Sequence, residues 1–307
     1  MLWAIVRNPA FWALLFSPTA VHWAAVEVVI FYWPNVADGI RKSVWYMLPA
    51  LFLCGLIAAW PKSKFKRKIS GTDIEVAIKV GSIFRSKNPL VIGATTHFDF
   101  ATDDHSANPS ISPKSVQGQF QAKYFERPAD IGTILENEKR KLSAVSTSTS
   151  QEKPFGPKLR YAVGEVVVVA AKKRCAYFVT MSTLNSHRTG QLSLDDYFDL
   201  IPKMWNGIRS KGGMEPLDIP LLGARFGRTG LKLEQTLTLL VRSFVAASRE
   251  SKFVDEVTFY VSGRDYLKGE FSAEKLVRIL DRECNHEKID VRAPNPGSLQ
   301  SAGVGLP

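Results

Sequence analysis

The sequence predicts a layered α/β domain placed behind an N-terminal pair of transmembrane helices. Two observations carry this. Residues 1–60 hold only five charged side chains, Arg7, Glu27, Asp38, Arg41 and Lys42, together with six of the seven tryptophans. The rest of the chain mixes charged and apolar residues in ordinary proportions, and short β-branched runs there alternate with segments of helical period. A length of 307 residues accommodates one sizeable domain plus such an appendage.

The first apolar run, FWALLFSPTAVHWAAVEVVIFYW (11–33), is 23 residues long. As a helix it spans roughly 35 Å, enough for a hydrocarbon core of about 30 Å with some tilt. The second, SVWYMLPALFLCGLIAAW (43–60), has no charge and spans about 27 Å. Tryptophan and tyrosine near the ends of both runs fit interfacial anchors. Arg7 and the cluster at 62–68 outweigh Arg41 and Lys42, which predicts a hairpin with both termini and the α/β domain in the cytoplasm and a short loop, 34–42, outside. No basic segment precedes the first run and a second apolar run follows it, which argues against a cleaved signal peptide. Glu27 has two readings: a polar seam between associating helices lining a pore, or a carboxyl reaching the headgroups.

Net charge is +11, and KSKFKRK (62–68) alone supplies five of the positive charges. From residue 69 onward 32 basic residues face 27 acidic ones. The basic excess is thus concentrated beside the hydrophobic segment, where anionic headgroups attract it, and not spread over a groove as in a nucleic-acid-binding protein. Residues 62–73 are accordingly expected to be a juxtamembrane linker. Cys54, Cys175 and Cys284 have no metal-ligand spacing and point to a reducing compartment.

The α/β domain is expected over 74–292. Strands are predicted at 74–80, 90–94, 164–171, 175–181, 217–222 and 256–262, from alternation or from short apolar runs. Helical spacing follows Ser193 (Leu194, Tyr197, Phe198, Ile201, Met204, Trp205, Ile208), recurs from Leu233 to Val245, and returns after Ser272. Residues 143–158 form a polar, flexible insertion, and 293–307 a disordered tail.

Several stretches could carry a site. In LLGARFGRTG (221–230) a strand delivers Gly223, Gly227 and Gly230 toward a helix start, with Arg225 and Arg228 beside them. Bare backbone N–H groups and two guanidinium groups suit a phosphate, but the pattern equally describes a tight turn, and it is neither a Walker loop nor G-x-G-x-x-G. HFDFATDDH (97–105) gathers His97, Asp99, Asp103, Asp104 and His105 without a recognised metal spacing, and no metal is expected. Asp99 follows Phe98 just beyond an inner strand, where open α/β sheets bind ligands. SVQGQF (115–120), taken alone, is an ordinary helix start. No Cys-His or Ser-His-Asp arrangement supports a catalytic nucleophile.

Taken in order, the two N-terminal apolar runs, IKVGSIF (78–84), LVIGATTHFDF (90–100), ISPKSVQGQF (111–120), YAVGEV (161–166), LSLDDYFDLIPKMWNGIR (192–209) and IPLLGARFGR (219–228) resemble the membrane-anchored macro-domain family that includes the effector of type II Thoeris antiphage defence. The resemblance covers about residues 10–265. It implies a macro-like three-layer α/β/α fold with a mixed sheet and a cleft for ADP-ribose derivatives as signal, with no other cofactor. It also implies a TIR-domain partner that makes histidine-ADP-ribose, self-assembly on activation and disruption of the cell's own membrane. Gly223, Ala224, Arg225, Phe226, Gly227 and Arg228 would embrace the diphosphate; Thr95, Phe98, Asp99, Gln117 and Gly118 would line the nucleotide or distal-ribose side. Two positions depart from the family. Thr95 stands where the family has asparagine, which weakens the alternative of an ADP-ribosyl hydrolase. Gly223-Ala224-Arg225 stands where Gly-Thr-Gly is usual. A non-catalytic membrane adaptor is the third alternative.

Overall fold

A computed structural model describes residues 9–33, 35, 49–50, 53, 63–100, 111–153, 156–184, 190–224 and 229–285. The strands are β1 (Lys64–Lys68), β2 (Glu75–Val80), β3 (Leu90–Thr95), β4 (Ala144–Thr147), β5 (Leu159–Tyr161), β6 (Val166–Ala171), β7 (Arg174–Leu184), β8 (Gly190–Gln191), β9 (Leu217–Pro220) and β10 (Glu256–Val261). The helices are α1 (Pro9–Tyr32), α2 (Val116–Tyr124), α3 (Pro128–Lys139), α4 (Leu194–Lys211), α5 (Leu233–Glu250), α6 (Gly263–Leu267) and α7 (Ala273–Asn285).

The main sheet runs β1-β2-β10-β9-β3-β7-β6, with β8 paired to β7. β2, β10, β9, β3 and β7 are mutually parallel, while β1 and β6 close the two edges antiparallel. Central parallel strands are covered on both faces, so they are near-continuous apolar runs, and β3 (LVIGAT) is buried at every position but Gly93. One face carries α4, α5 and α7, which seat Tyr197, Trp205, Phe244, Leu276 and Leu280 against Val76, Ile78, Val91 and Val179. The other carries α2 and α3, whose Phe120, Ile131 and Leu135 meet Ile92, Val167 and Phe178. Full burial of side chains this large contributes about 1.5–3 kcal/mol each. The start of α4 is capped as its sequence suggests: Ser193 Oγ accepts from Asp196 N at 3.0 Å and donates to its Oδ2 at 2.7 Å.

All six predicted strands are present within a few residues. The basic run expected as a linker at 62–73 instead contains edge strand β1, in register with β2 from Lys64–Lys79 to Lys68–Glu75. Its charges are largely matched within the fold, through Lys64–Glu256 at 2.5 Å, Lys66–Glu75 at 2.9 Å and Arg67–Asp281 at 2.5 Å. That leaves less charge for headgroups than the composition suggests. The polar insertion at 143–158 begins in β4, which pairs antiparallel with β5.

The first apolar run is helical as α1, with Glu27 exposed on it. The second run lies outside the described residues except at 49, 50 and 53, as does the tail at 293–307. Among the described residues no helix is long and apolar enough to cross a membrane, so no transmembrane hairpin is identified.

Candidate functional site

The connections on the two sides of the β3–β9 boundary leave the sheet in opposite directions. After β3 the chain passes through α2 and α3 on one face; after β9 it enters α5 on the other. The carboxyl ends of β3 and β9 therefore mark a topological switch point, the crevice position at which open α/β sheets hold ligands. Thr95, Phe98 and Asp99 lie at the end of β3, and Gly223 and Ala224 at the end of β9.

The turn after β3 is closely bonded. Thr95 Oγ1 accepts from Asp99 N at 3.0 Å and donates to Asp99 Oδ2 at 2.7 Å, and Phe98 N donates to Thr95 O at 2.9 Å. The hydroxyl that replaces the family's asparagine amide is thus committed to the turn itself. Phe98 sits at φ 52, a left-handed conformation that costs a bulky residue about 1–2 kcal/mol. Its fully buried ring packs edge-on to Tyr161 at 5.5 Å, which offsets that cost. Gln117, near the start of α2, donates its Nε2 to Asp99 O at 2.6 Å, tying the helix to the turn. Gly118 follows, its N–H donating to the Ser115 cap at 3.0 Å, and a Cβ there would meet Ser112 O at 2.3 Å. Four of the expected ligand residues, Thr95, Phe98, Asp99 and Gln117, are therefore bonded into one unit, with Gly118 beside them.

Asp99 is 1% exposed, and its charge is matched by Lys153, whose Nζ donates to Oδ1 at 2.7 Å and Oδ2 at 3.0 Å. His97 bonds through Nε2 to Ser148 Oγ at 2.9 Å. Burial, reinforced by the nearby Lys153 charge, lowers its pKa to about 4, so the ring is neutral at physiological pH. Among the described residues no group of three His, Cys, Asp or Glu is placed to hold a metal ion, and Asp103, Asp104 and His105 lie outside them. Burial pushes the Cys284 thiol up to about 11 and raises that of Cys175, which disfavours the thiolate in both.

On the β9 side, Gly223 adopts φ +77, and a Cβ there would sit 2.9 Å from the Tyr197 ring. The Tyr197 hydroxyl donates to Leu222 O at 3.1 Å, and the whole side chain is buried, with its pKa raised by desolvation. This turn thus rests on a fixed aromatic floor supplied by α4. Arg225, Phe226, Gly227 and Arg228 lie outside the described residues. Helix α5 begins just beyond Gly230, and its cap residue Lys232 donates its backbone N–H to Gln235 Oε1 at 2.9 Å.

Sequence reasoning missed Lys153, Ser148 and Gly156, which come from the polar insertion. It also missed Gly81 and Ser82 at the end of β2 and Ser262 at the end of β10, which share the same edge. Ser262 Oγ caps α6, donating to Asp265 Oδ2 at 2.7 Å and accepting from Asp265 N at 3.1 Å.

The geometry defines a layered α/β ligand-binding fold with its crevice at the ends of β3 and β9. The family model described as Thoeris protein ThsA, Macro domain, matches residues 76–262, more than half of the chain, and the protein belongs to that family. Among solved structures, a macrodomain of Oceanobacillus iheyensis with MES bound matches at 14% identity and TM-score 0.46, covering 71% of this chain and 98% of that one. The same organism's macrodomain with ADP matches at 13% identity and TM-score 0.43, covering 72% and 94%. A Trypanosoma brucei macrodomain in complex with ADP-ribose matches at 12% identity and TM-score 0.39, covering 64% and 66%. No curated protein matches the chain.

Proposed function

We propose that this chain is the sensor and effector of a Thoeris antiphage system. In this reading its macro domain binds an ADP-ribose-derived signal of the histidine-ADP-ribose type, made by a TIR-domain partner, and does not consume it. Binding drives self-assembly, and residues 1–60 carry the protein to the bacterial inner membrane, which the assembly disrupts. The observation that carries the reading is the clustering of Thr95, Phe98, Asp99 and Gln117 at the end of β3, beside the Gly223 turn, in a chain of the ThsA macro family. The low charge and high tryptophan content of residues 1–60 support the membrane part.

The test uses the full-length chain, purified in detergent and heated with ADP-ribose, NAD or histidine-ADP-ribose. Stabilisation with the ligand recovered intact is the expected result. Consumption of the ligand would replace the sensor by a hydrolase, and no stabilisation by any of the three would remove ligand sensing. Leakage of dye from vesicles only when chain and signal are both present tests the membrane step.

A further inference from the structure

Asp99, expected to meet a ligand, is engaged by the protein's own chain. Its Oδ1 accepts from Lys153, and its Oδ2 accepts from both Lys153 and Thr95. Gly156, at φ +79, lies so close that a Cβ there would sit 2.7 Å from Oδ1. The same hairpin is tied down at both ends of its ladder: Ser148 Oγ meets His97 at the loop end, and Tyr161 N donates to Thr96 O at 2.8 Å at the base.

Apart from these ties the described residues of the hairpin are sparsely held. Every residue of β4 is exposed, and Val145 and Leu159 are 66% and 45% exposed, while Tyr161 alone of β5 is buried. A segment with few buried apolar contacts opens at low free energy, so one buried ion pair weighs heavily in holding it.

We propose that the β4–β5 hairpin is a strap that ligand releases: Lys153 holds Asp99 in the free protein, and a ligand group that bonds to Asp99 displaces it. This rests on the ligand-binding reading given above. A ligand contact with Asp99 and the Lys153 contact compete for the same oxygens, so occupancy of the crevice and closure of the hairpin are mutually exclusive. Occupancy is thereby converted into release of a two-stranded ribbon and exposure of its inner face, which carries Tyr161.

Hydrogen exchange on the full-length chain, with saturating ADP-ribose as probe, tests this. Ligand is expected to slow exchange in residues 95–100 and to speed it at least about tenfold in 144–153 and 156–161. Lys153→Met is expected to show the fast hairpin without ligand, with no further change on adding it. Slowed or unchanged exchange in the hairpin, with 95–100 protected, would overturn the strap while leaving ligand binding intact. Unchanged exchange everywhere, with no thermal stabilisation, would remove the binding reading and the strap together. Should Lys153→Met fail to fold, Gly156→Ala, which drives a methyl group toward Asp99, must also give a fast hairpin, and a slow one counts against the proposal.

Discussion

Two buried ion pairs lie at opposite edges of the sheet, and they are built differently. At the amino ends of the parallel strands, Arg174 bonds Asp218 Oδ2 at 2.6 Å, Asn88 O at 2.6 Å and Ile83 O at 3.0 Å, and Asn88 Nδ2 meets Asp218 Oδ1 at 3.3 Å. Both side chains are at most 1% exposed. At the carboxyl ends, Lys153 reaches Asp99 through one ammonium group at the tip of a flexible stem, on a hairpin that is mostly exposed. A planar guanidinium fixed by two carbonyls of the β2–β3 connection is a permanent pin, whereas a point charge on a long side chain can leave as a unit. The fold is thus welded at the edge away from the crevice and latched at the edge beside it.

The largest expected effect comes from breaking the pin. Arg174→Met strands the Asp218 carboxylate in the interior and should cost about 3–5 kcal/mol in urea unfolding. Burial already raises the Asp218 pKa, so part of that loss would be relieved by protonation at low pH. A Lys153→Met variant that costs as much as Arg174→Met would erase the contrast between the two pairs.

Next comes the crevice turn. Gly223→Ala forces a side chain into a left-handed position against the Tyr197 ring and should cost about 1–3 kcal/mol, with weaker stabilisation by ADP-ribose. An unchanged melting temperature and unchanged ligand response would show that the Tyr197 floor does not constrain the turn.

The latched edge should also be the acid-sensitive one. The folded-state pKa of His97, about 4, lies below its ordinary value of 6.5, so between these values the unfolded chain binds more protons than the folded one. Stability from the neutral, buried ring is therefore complete above pH 6.5 and is lost as pH falls toward 4. His97→Gln should flatten the pH dependence of the melting temperature in that window, and an unaltered slope would assign the acid sensitivity elsewhere. The smallest effect is expected at β1, where Lys66→Ala removes a solvent-screened pair with Glu75 and should leave the melting temperature unchanged.

The central strands were legible because burial on both faces imposes apolar runs that a sequence cannot hide, as in β3 and β10. Edge strand β1 was not, since four of its five residues are basic and only Phe65 turns toward the core. Its pairing is held by charges on β2, β10 and α7, which no local period reveals. The site divides the same way. Asp99 was legible from its place after a strand, whereas Thr95 and Gln117 entered only through the family resemblance. Lys153 was not legible, because a lysine in a polar stretch shows no sign that its partner lies 54 residues away.

Strand β1 runs antiparallel to β2, so its first residues lie beside the end of β2, with Val80 N donating to Ser63 O at 2.7 Å. The chain therefore enters the sheet at the rim that holds the crevice. With strands about 4.8 Å apart, that entry point is three steps, roughly 14 Å, from the end of β9. Tension on the chain ahead of Ser63, directed along β1, would load the β1–β2 ladder lengthwise, so that its bonds share the load and do not peel one at a time. The rim that would grip a ligand is thus also the rim at which such a pull would arrive.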